Sequence, residues 1–399
     1  VLELLWTLTR GFTVVVQDDA EKVALTGQAP PPRRPMGFSL FYFAADAGEA
    51  AGDRYRLLIE GAKFADSHDF EAVWTPERHF HPFGGLYPNP ALTGAAVAMV
   101  TSRVGIRAGS IVLPLHHPIR CAEEWSVVDN LSHGRVGLSF ASGWHATDFA
   151  LAPDRFKERR DVMARGIDTV RALWRGESIE ATSGDGSPTK VRIFPPPVQT
   201  SPRIWLTASG NPETFAMAGR LGASVLTNLL VMNRSDLAAN IAVYRRAYRE
   251  AGHPGDGHVS LMLHAFIGDD VREVRALVRD PFLAYLRTST DLVNKARWER
   301  TAFAKADDRV VTTGASTDLD DLSPEDMKAI LDHAVERYMS ENGLFGTPES
   351  CRPTVQGLGE LGVDELACLI DFGLATETVL SGLHHLDTLR RLCTDRSAA

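Results

Sequence analysis

The stretch from Arg103 to Trp144 constrains the fold most. It runs VGIRAGSIVLP, LHHPIRCAEEWSVVDNLSHG and RVGLSFASGW. An apolar strand is followed by a helix-length segment and a second apolar strand that ends in small residues. Parallel strands need a crossover of about a dozen residues or more, and a helix supplies it, so this is a βαβ unit. Glycine and polar residues collect at its strand ends, where α/β sheets place their ligands.

The same alternation extends in both directions. FSLFYF (Phe38–Phe43) reads as strand one and FEAVWTP (Phe70–Pro76) as strand two. Between them Asp53–His68 is an amphipathic helix with Leu58, Ala62 and Ala65 on one face. Ala91–Val100 is the next helix, and residues 103–144 supply strands three and four. Phe156, Met163, Ile167, Val170 and Trp174 mark a long helix. Residues 177–200 read as an insertion with a glycine-rich turn. RIWLTASG (Arg203–Gly210), ASVLTNLL (Ala223–Leu230), HVSLMLHAFIG (His258–Gly268) and ELACLIDFG (Glu365–Gly373) are strands five to eight. Asn211-Pro212-Glu213 and Thr347-Pro348-Glu349 open helices with a cap, a first-turn proline and an acid. Eight such units favour a TIM (β/α)8 barrel with insertions over an open doubly wound sheet. No GxGxxG follows strand one, which removes the main cue for a Rossmann unit.

The barrel is expected over residues 36–396. Residues 1–35 stand apart as a tail, with Pro30–Pro35 as a stiff linker. The chain begins at Val1, and we expect it to be a piece of a larger protein. Residues 270–345 form a mostly helical excursion, and its acidic middle, residues 306–322, reads as mobile; whether it covers the strand ends as a lid stays open. A net charge of -9 argues against nucleic acid. The sequence holds no apolar run of membrane-spanning length and no signal peptide. Cys121, Cys351, Cys368 and Cys393 lack CxxC spacing and read as reduced thiols of a cytoplasmic protein.

The strand ends gather a candidate pocket. Glu77, Arg78, His79, His81, Tyr87 and Asn89 follow strand two. Gly109, Ser110, His116 and His117 belong to strand three and its exit, and Ser139, Ala141, Ser142, Trp144 and His145 to strand four. Thr207 to Asn211, Thr227, Asn228 and Asp371 complete it. It has neither the paired carboxylates of a glycosidase nor a GxSxG elbow. His79-x-His81 is a weak metal signal, and no metal is expected. The adjacent rings of His116 and His117 point apart, and His117 before Pro118 reads as a helix start. Ser209-Gly210-Asn211 is either an anion site at a helix N-terminus or a plain cap. The small residues of SFASG let a flat ring or a phosphate tail approach the backbone. Trp144 and Trp205 are stacking partners or core, with core favoured for Trp205.

Four motifs carry a resemblance: AVWTPERHFHPFGGLYPNP (Ala72–Pro90), AGSIVLPLHHPIRCAEEWSVVDNLSHGR (Ala108–Arg135), SFASGWHATDF (Ser139–Phe149) and TASGNPETF (Thr207–Phe215). Across residues 36–393 the chain resembles flavin-dependent monooxygenases of the bacterial luciferase-like superfamily. It is most similar to the branch embedded in polyketide and nonribosomal peptide synthetases. The resemblance implies a TIM barrel with reduced FMN at its C-terminal face and a cis peptide at Gly109-Ser110 beneath the flavin ring. It implies flavin contacts at Ser139, Ala141, Ser142 and Trp144, phosphate-side contacts at Ala208, Ser209, Gly210 and Asn211, and ring-side contacts at Thr227 and Asn228. Luciferases carry two adjacent histidines after strand two; here Arg78 takes the first position and His79 the second. Arg78 cannot act as a base, but it can stabilise negative charge. LELLWTLTRGFTVVVQ (Leu2–Gln17) resembles a fragment of an adenylation domain.

The activity this implies is a hydroxylation: reduced FMN from a separate reductase, with O2, hydroxylates an acyl or aminoacyl group tethered to a carrier protein. His79 manages a proton, Arg78 stabilises charge, and the protein forms a homodimer. The rivals are an F420-dependent oxidoreductase on the same barrel and a non-catalytic docking barrel.

Overall fold

The computed structural model describes residues 35–43, 54–230, 232–295, 335–336 and 338–394. The N-terminal tail, with its linker and adenylation-like segment, and residues 306–322 lie outside them.

Eight parallel strands close into a barrel. They are β1 (Gly37–Phe41), β2 (Ala72–Thr75), β3 (Gly105–Val112), β4 (Val136–Ala141), β7 (Arg203–Thr207), β8 (Ser224–Asn228), β9 (Val259–Ile267) and β11 (Glu365–Leu369). Each pairs with the next in that order, and β11 returns to β1 with Gly37 opposite Glu365. Around them run α1 (Arg56–Ser67), α2 (Pro90–Val100), α3 (Pro118–Leu131), α4 (Arg159–Trp174), α5 (Pro212–Arg220), α6 (Arg234–Glu250), α7 (Val271–Lys295), α8 (Pro348–Glu360) and α9 (Thr376–Thr394).

The helices start and bury where the sequence directs them. Asn211 accepts from Glu213 N at 2.9 Å and caps α5, while Thr347 and Ser350 form a reciprocal capping box on α8. Leu58, Ala62 and Ala65 are the buried stripe of α1. The long helix is shorter than its apolar stripe implied: α4 begins at Arg159, and Phe156 follows a 3-10 turn.

Two strand features were not foreseen. The insertion at 177–200 holds an antiparallel hairpin, β5 (Ile179–Thr182) with β6 (Pro188–Val191). Asp185-Gly186 turns it, with Gly186 at φ +85°. A short strand, β10 (Leu344–Gly346), pairs with the outer part of β9.

The N-terminal half of the barrel is locked by a buried charge. Glu365, fully buried, accepts from Ser39 on β1, Trp74 on β2, Ser260 on β9 and both ways from Arg107 on β3, at 2.5–3.2 Å. The Arg107 guanidinium sits 4.9 Å from the Trp74 ring and 4.6 Å from that of Trp205. Burial pushes the Glu365 carboxyl up, but Arg107 and His258 more than offset it and hold it well below the usual range. A polar contact set that spans the barrel also fixes strand register, and it leaves the opposite strand ends for other work.

Candidate active site

The C-terminal strand ends carry three linked clusters. The first is a chain of hydroxyls. Thr207 Oγ1, at the end of β7, lies 2.5 Å from Ser110 Oγ on β3 and 2.8 Å from Ser139 Oγ on β4. The Gly109-Ser110 peptide is cis, as the resemblance implied. A side chain at 109 has no room: a Cβ would come within 2.8 Å of Phe41 and 3.0 Å of Trp74. Next along the rim, Thr227 is buried on β8, and its hydroxyl makes no hydrogen bond among the described residues.

The second cluster centres on Glu77. Its buried carboxylate accepts from His79 Nε2 at 2.8 Å, His116 Nε2 at 2.7 Å and the Val112 N–H at 2.7 Å. Burial pushes the Glu77 carboxyl up, yet the two histidine bonds more than compensate and hold it below its ordinary value. Burial pushes His116 down, but Glu77 wins and raises it.

The third cluster is Arg78. Its guanidinium is buried, pairs with Asp148 Oδ2 at 3.0 Å and lies 5.2 Å from the Trp144 ring. Arg78 Nε and Nη2 make no hydrogen bond among the described residues. Burial lifts Asp148 to about 6, with Arg78 and His79 pulling the other way.

Some lining residues turn out to hold loops. Asn89 caps α2, accepting from Ala91 N at 2.8 Å, and Tyr87 donates to Asp371 Oδ2, whose other oxygen accepts from Phe43 N. His81 Nδ1 accepts from Phe83 N, and His117 caps α3, as its place before Pro118 indicated. Trp205 is core, and Trp144 is the more exposed of the two at 37%. Around the β7 exit, Ala208 N–H is taken by Leu226 O, Asn211 caps α5, and Gly210 has φ +129°. Ser209 is exposed, and Ala141, Ser142 and Asn228 are half-buried. Asn228 Oδ1 accepts from Leu230 N at 3.0 Å.

Thr207 and His116 belong to the pocket the sequence outlines, but only the closed barrel reveals their partners: Thr207 joins Ser110 to Ser139, and His116 turns inward to Glu77. Asp148 stands inside the SFASGWHATDF motif but was not recognised as the partner of Arg78, 70 residues away.

This geometry suits a flavin. Small residues line this rim at 109, 139 and 141–143, with 141–143 half-buried. Among the described residues, the buried Thr227 hydroxyl and the Nε and Nη2 nitrogens of Arg78 have no hydrogen-bond partner, and a ligand's polar atoms would satisfy them.

Comparison with known proteins bears on the same region. A family model described as "Luciferase-like monooxygenase" matches residues 35–365. The oxygenase component of the flavin-dependent trigonelline monooxygenase of Acinetobacter baylyi is 23% identical over 360 residues, covering 88% of this chain and 93% of that protein. An F420-dependent hydroxymycolic acid dehydrogenase of Mycobacterium tuberculosis is 30% identical over 228 residues, 55% of this chain and 61% of its own. The oxygenating constituent of 3,6-diketocamphane monooxygenase from Pseudomonas putida, solved with FMN, superposes with a TM-score of 0.66 at 18% identity. The match covers 90% of this chain and 96% of that one, and establishes likeness of fold.

Proposed function

The chain belongs to the luciferase-like monooxygenase family, and from that premise we propose that it binds reduced FMN at the barrel mouth and, with O2, hydroxylates an acyl or aminoacyl group tethered to a carrier protein. The observation that carries the flavin assignment is the run of strand-end groups from Ser110 through Thr207 to the hydroxyl of Thr227, which has no partner among the described residues. Bound there, reduced FMN supplies the oxygen-activating chemistry.

The residues divide the rest of the work. Gly109, Ser110, Ser139, Ala141, Ser142 and Trp144 support and face the ring system, Ala208, Ser209, Gly210 and Asn211 take the phosphate side, and Thr227 and Asn228 meet the ring edge. Arg78 places a fixed cation beside Trp144. Its pairing with Asp148 keeps it charged despite burial, and its spare N–H groups stabilise negative charge on the oxidant or the substrate carbonyl. His79, anchored to Glu77, handles a proton.

A separate reductase delivers the flavin, a reading supported by a relative that is itself named as an oxygenase component. We also assign a homodimer interface to the α2–α3 face, where Leu92, Met99, Val127 and Leu131 are exposed. Among the described residues no helix is long and apolar enough to cross a membrane, and we place the protein in the cytoplasm.

A second reading, F420-dependent hydride transfer, is favoured by the mycobacterial dehydrogenase among the relatives. Turnover of carrier-tethered acyl and aminoacyl substrates with reduced FMN and air, read by mass spectrometry, tests the proposal. One added oxygen atom is the expected outcome. Unchanged substrate together with F420 reduction under nitrogen would replace it with the second reading.

A further inference from the structure

We propose that Glu77 is a positioning residue that fixes which nitrogen of His79 faces the reaction, and that His116 is the counter-charge that lets Glu77 do so. The proposal rests on the reading of His79 as the proton-handling group, and it adds two residues to it.

An ionised carboxylate only accepts hydrogen bonds. Both imidazoles meet the same oxygen, Glu77 Oε1, through Nε2, and the backbone N–H of Val112 occupies Oε2. Each ring must therefore carry its proton on Nε2. For His79 in its neutral form this leaves Nδ1 as the bare, accepting nitrogen. A histidine whose far nitrogen is held by a carboxylate is a base of defined tautomer and direction, the arrangement expected of an oriented acid–base group.

The Glu77 side chain is wholly buried, so its charge must be balanced nearby. His116 is the group placed to do this: its Nε2 donates to Glu77 Oε1 at 2.7 Å, and the contact holds Glu77 down and His116 up. The other charges facing the cluster are Glu124, which favours the cationic His116, and Arg155, which opposes it and donates to the His116 carbonyl at 2.7 Å. Cys121 also faces Glu77, and its thiol is driven up by burial. On the far side, Asp148 pairs with Arg78 and lies against His145. His79 thus stands between a neutralised pair, His116 with Glu77, and a second neutralised pair, Arg78 with Asp148.

Nitrogen-15 NMR of histidine-labelled protein without flavin tests this, with His79 and His116 assigned from His79→Gln and His116→Asn spectra. The expected wild-type result is that the neutral form of His79 is locked as the Nε2–H tautomer and that His116 carries a proton on Nε2. Glu77→Leu, or Glu77→Met should the first fail to fold, removes the acceptor of both rings and is expected to give His79 mixed tautomers and to lower the proton affinity of His116. His116→Gln keeps an amide donor near the Nε2 position but no positive charge, and should loosen the His79 tautomer; a tautomer locked as in wild type would remove His116 from the proposal. Glu77 variants that leave both histidines as in wild type would overturn the proposal. Because the protein carries no flavin in this experiment, failure to bind FMN would count against the function proposed above and not against this arrangement.

Discussion

Thr227→Val separates what the fold needs from what a flavin needs. The Thr227 side chain is buried, with the residue 1% exposed, and its hydroxyl has no protein partner among the described residues. A buried hydroxyl left unsatisfied costs about 1–3 kcal/mol. Valine replaces it with a methyl group at nearly the same volume. The ligand-free protein should therefore be as stable as wild type or more so, by about 1 kcal/mol. In a chain of this length that is a rise of only about 1 °C in the thermal midpoint. Flavin binding should move the other way. A hydrogen bond from Thr227 to the ring edge is worth about 0.5–1.5 kcal/mol, which is a loss of roughly 2- to 13-fold in affinity for reduced FMN. Scanning fluorimetry of the free protein and anaerobic titration with reduced FMN give the two numbers. A variant that is clearly less stable when ligand-free would mean the hydroxyl already has a structural partner. One that binds FMN like wild type would remove Thr227 from the ring edge.

Other expectations concern the charges and the surface. Glu365→Gln should destabilise the barrel by about 3–5 kcal/mol, because it leaves the buried Arg107 cation with only the partly exposed Glu71 carboxylate, 3.7 Å away; denaturation that matches wild type would show that Glu365 is already neutral. Asp148 is raised to about 6 in the folded protein, above an unfolded value near 3.9, so the native state binds its proton more tightly. Its protonation therefore adds stability as pH falls from about 6 to about 4, at most about 3 kcal/mol, and that increment is lost as pH rises back through 6. The stability difference between wild type and Asp148→Asn should shift in favour of wild type over that interval, and a flat or reversed difference would contradict the assignment. Met99→Glu on α2 should convert a dimer to a monomer in sedimentation equilibrium, and an unchanged mass would move the interface elsewhere.

The barrel was legible because its signals are local and repeated. Apolar runs such as VGLSFA and ELACL, each followed by an amphipathic stretch, name strands and helices without reference to the rest of the chain. Caps at Asn211 and Thr347 depend on three or four consecutive residues, and they sit where the sequence put them. The β5–β6 hairpin was missed because its strands are exposed on alternate sides and carry few large apolar residues, so the turn at Asp185-Gly186 was read without the strands it joins. The cis peptide at Gly109-Ser110 was accessible only through resemblance, since no periodicity or composition encodes it. The site was legible residue by residue but not as a set of partners. Arg78 with Asp148, Glu77 with His116, and Thr207 with two serines are contacts between segments 39 to 97 positions apart, which exist only once the barrel has closed.

Whether the mouth of this barrel holds FMN is decided by parallel anaerobic titrations of the wild-type protein with reduced FMN and reduced F420, followed by flavin fluorescence and calorimetry. Saturable binding of one reduced FMN per chain, with F420 binding at least tenfold weaker, is expected. Tight F420 binding with no uptake of FMN in either redox state would contradict it.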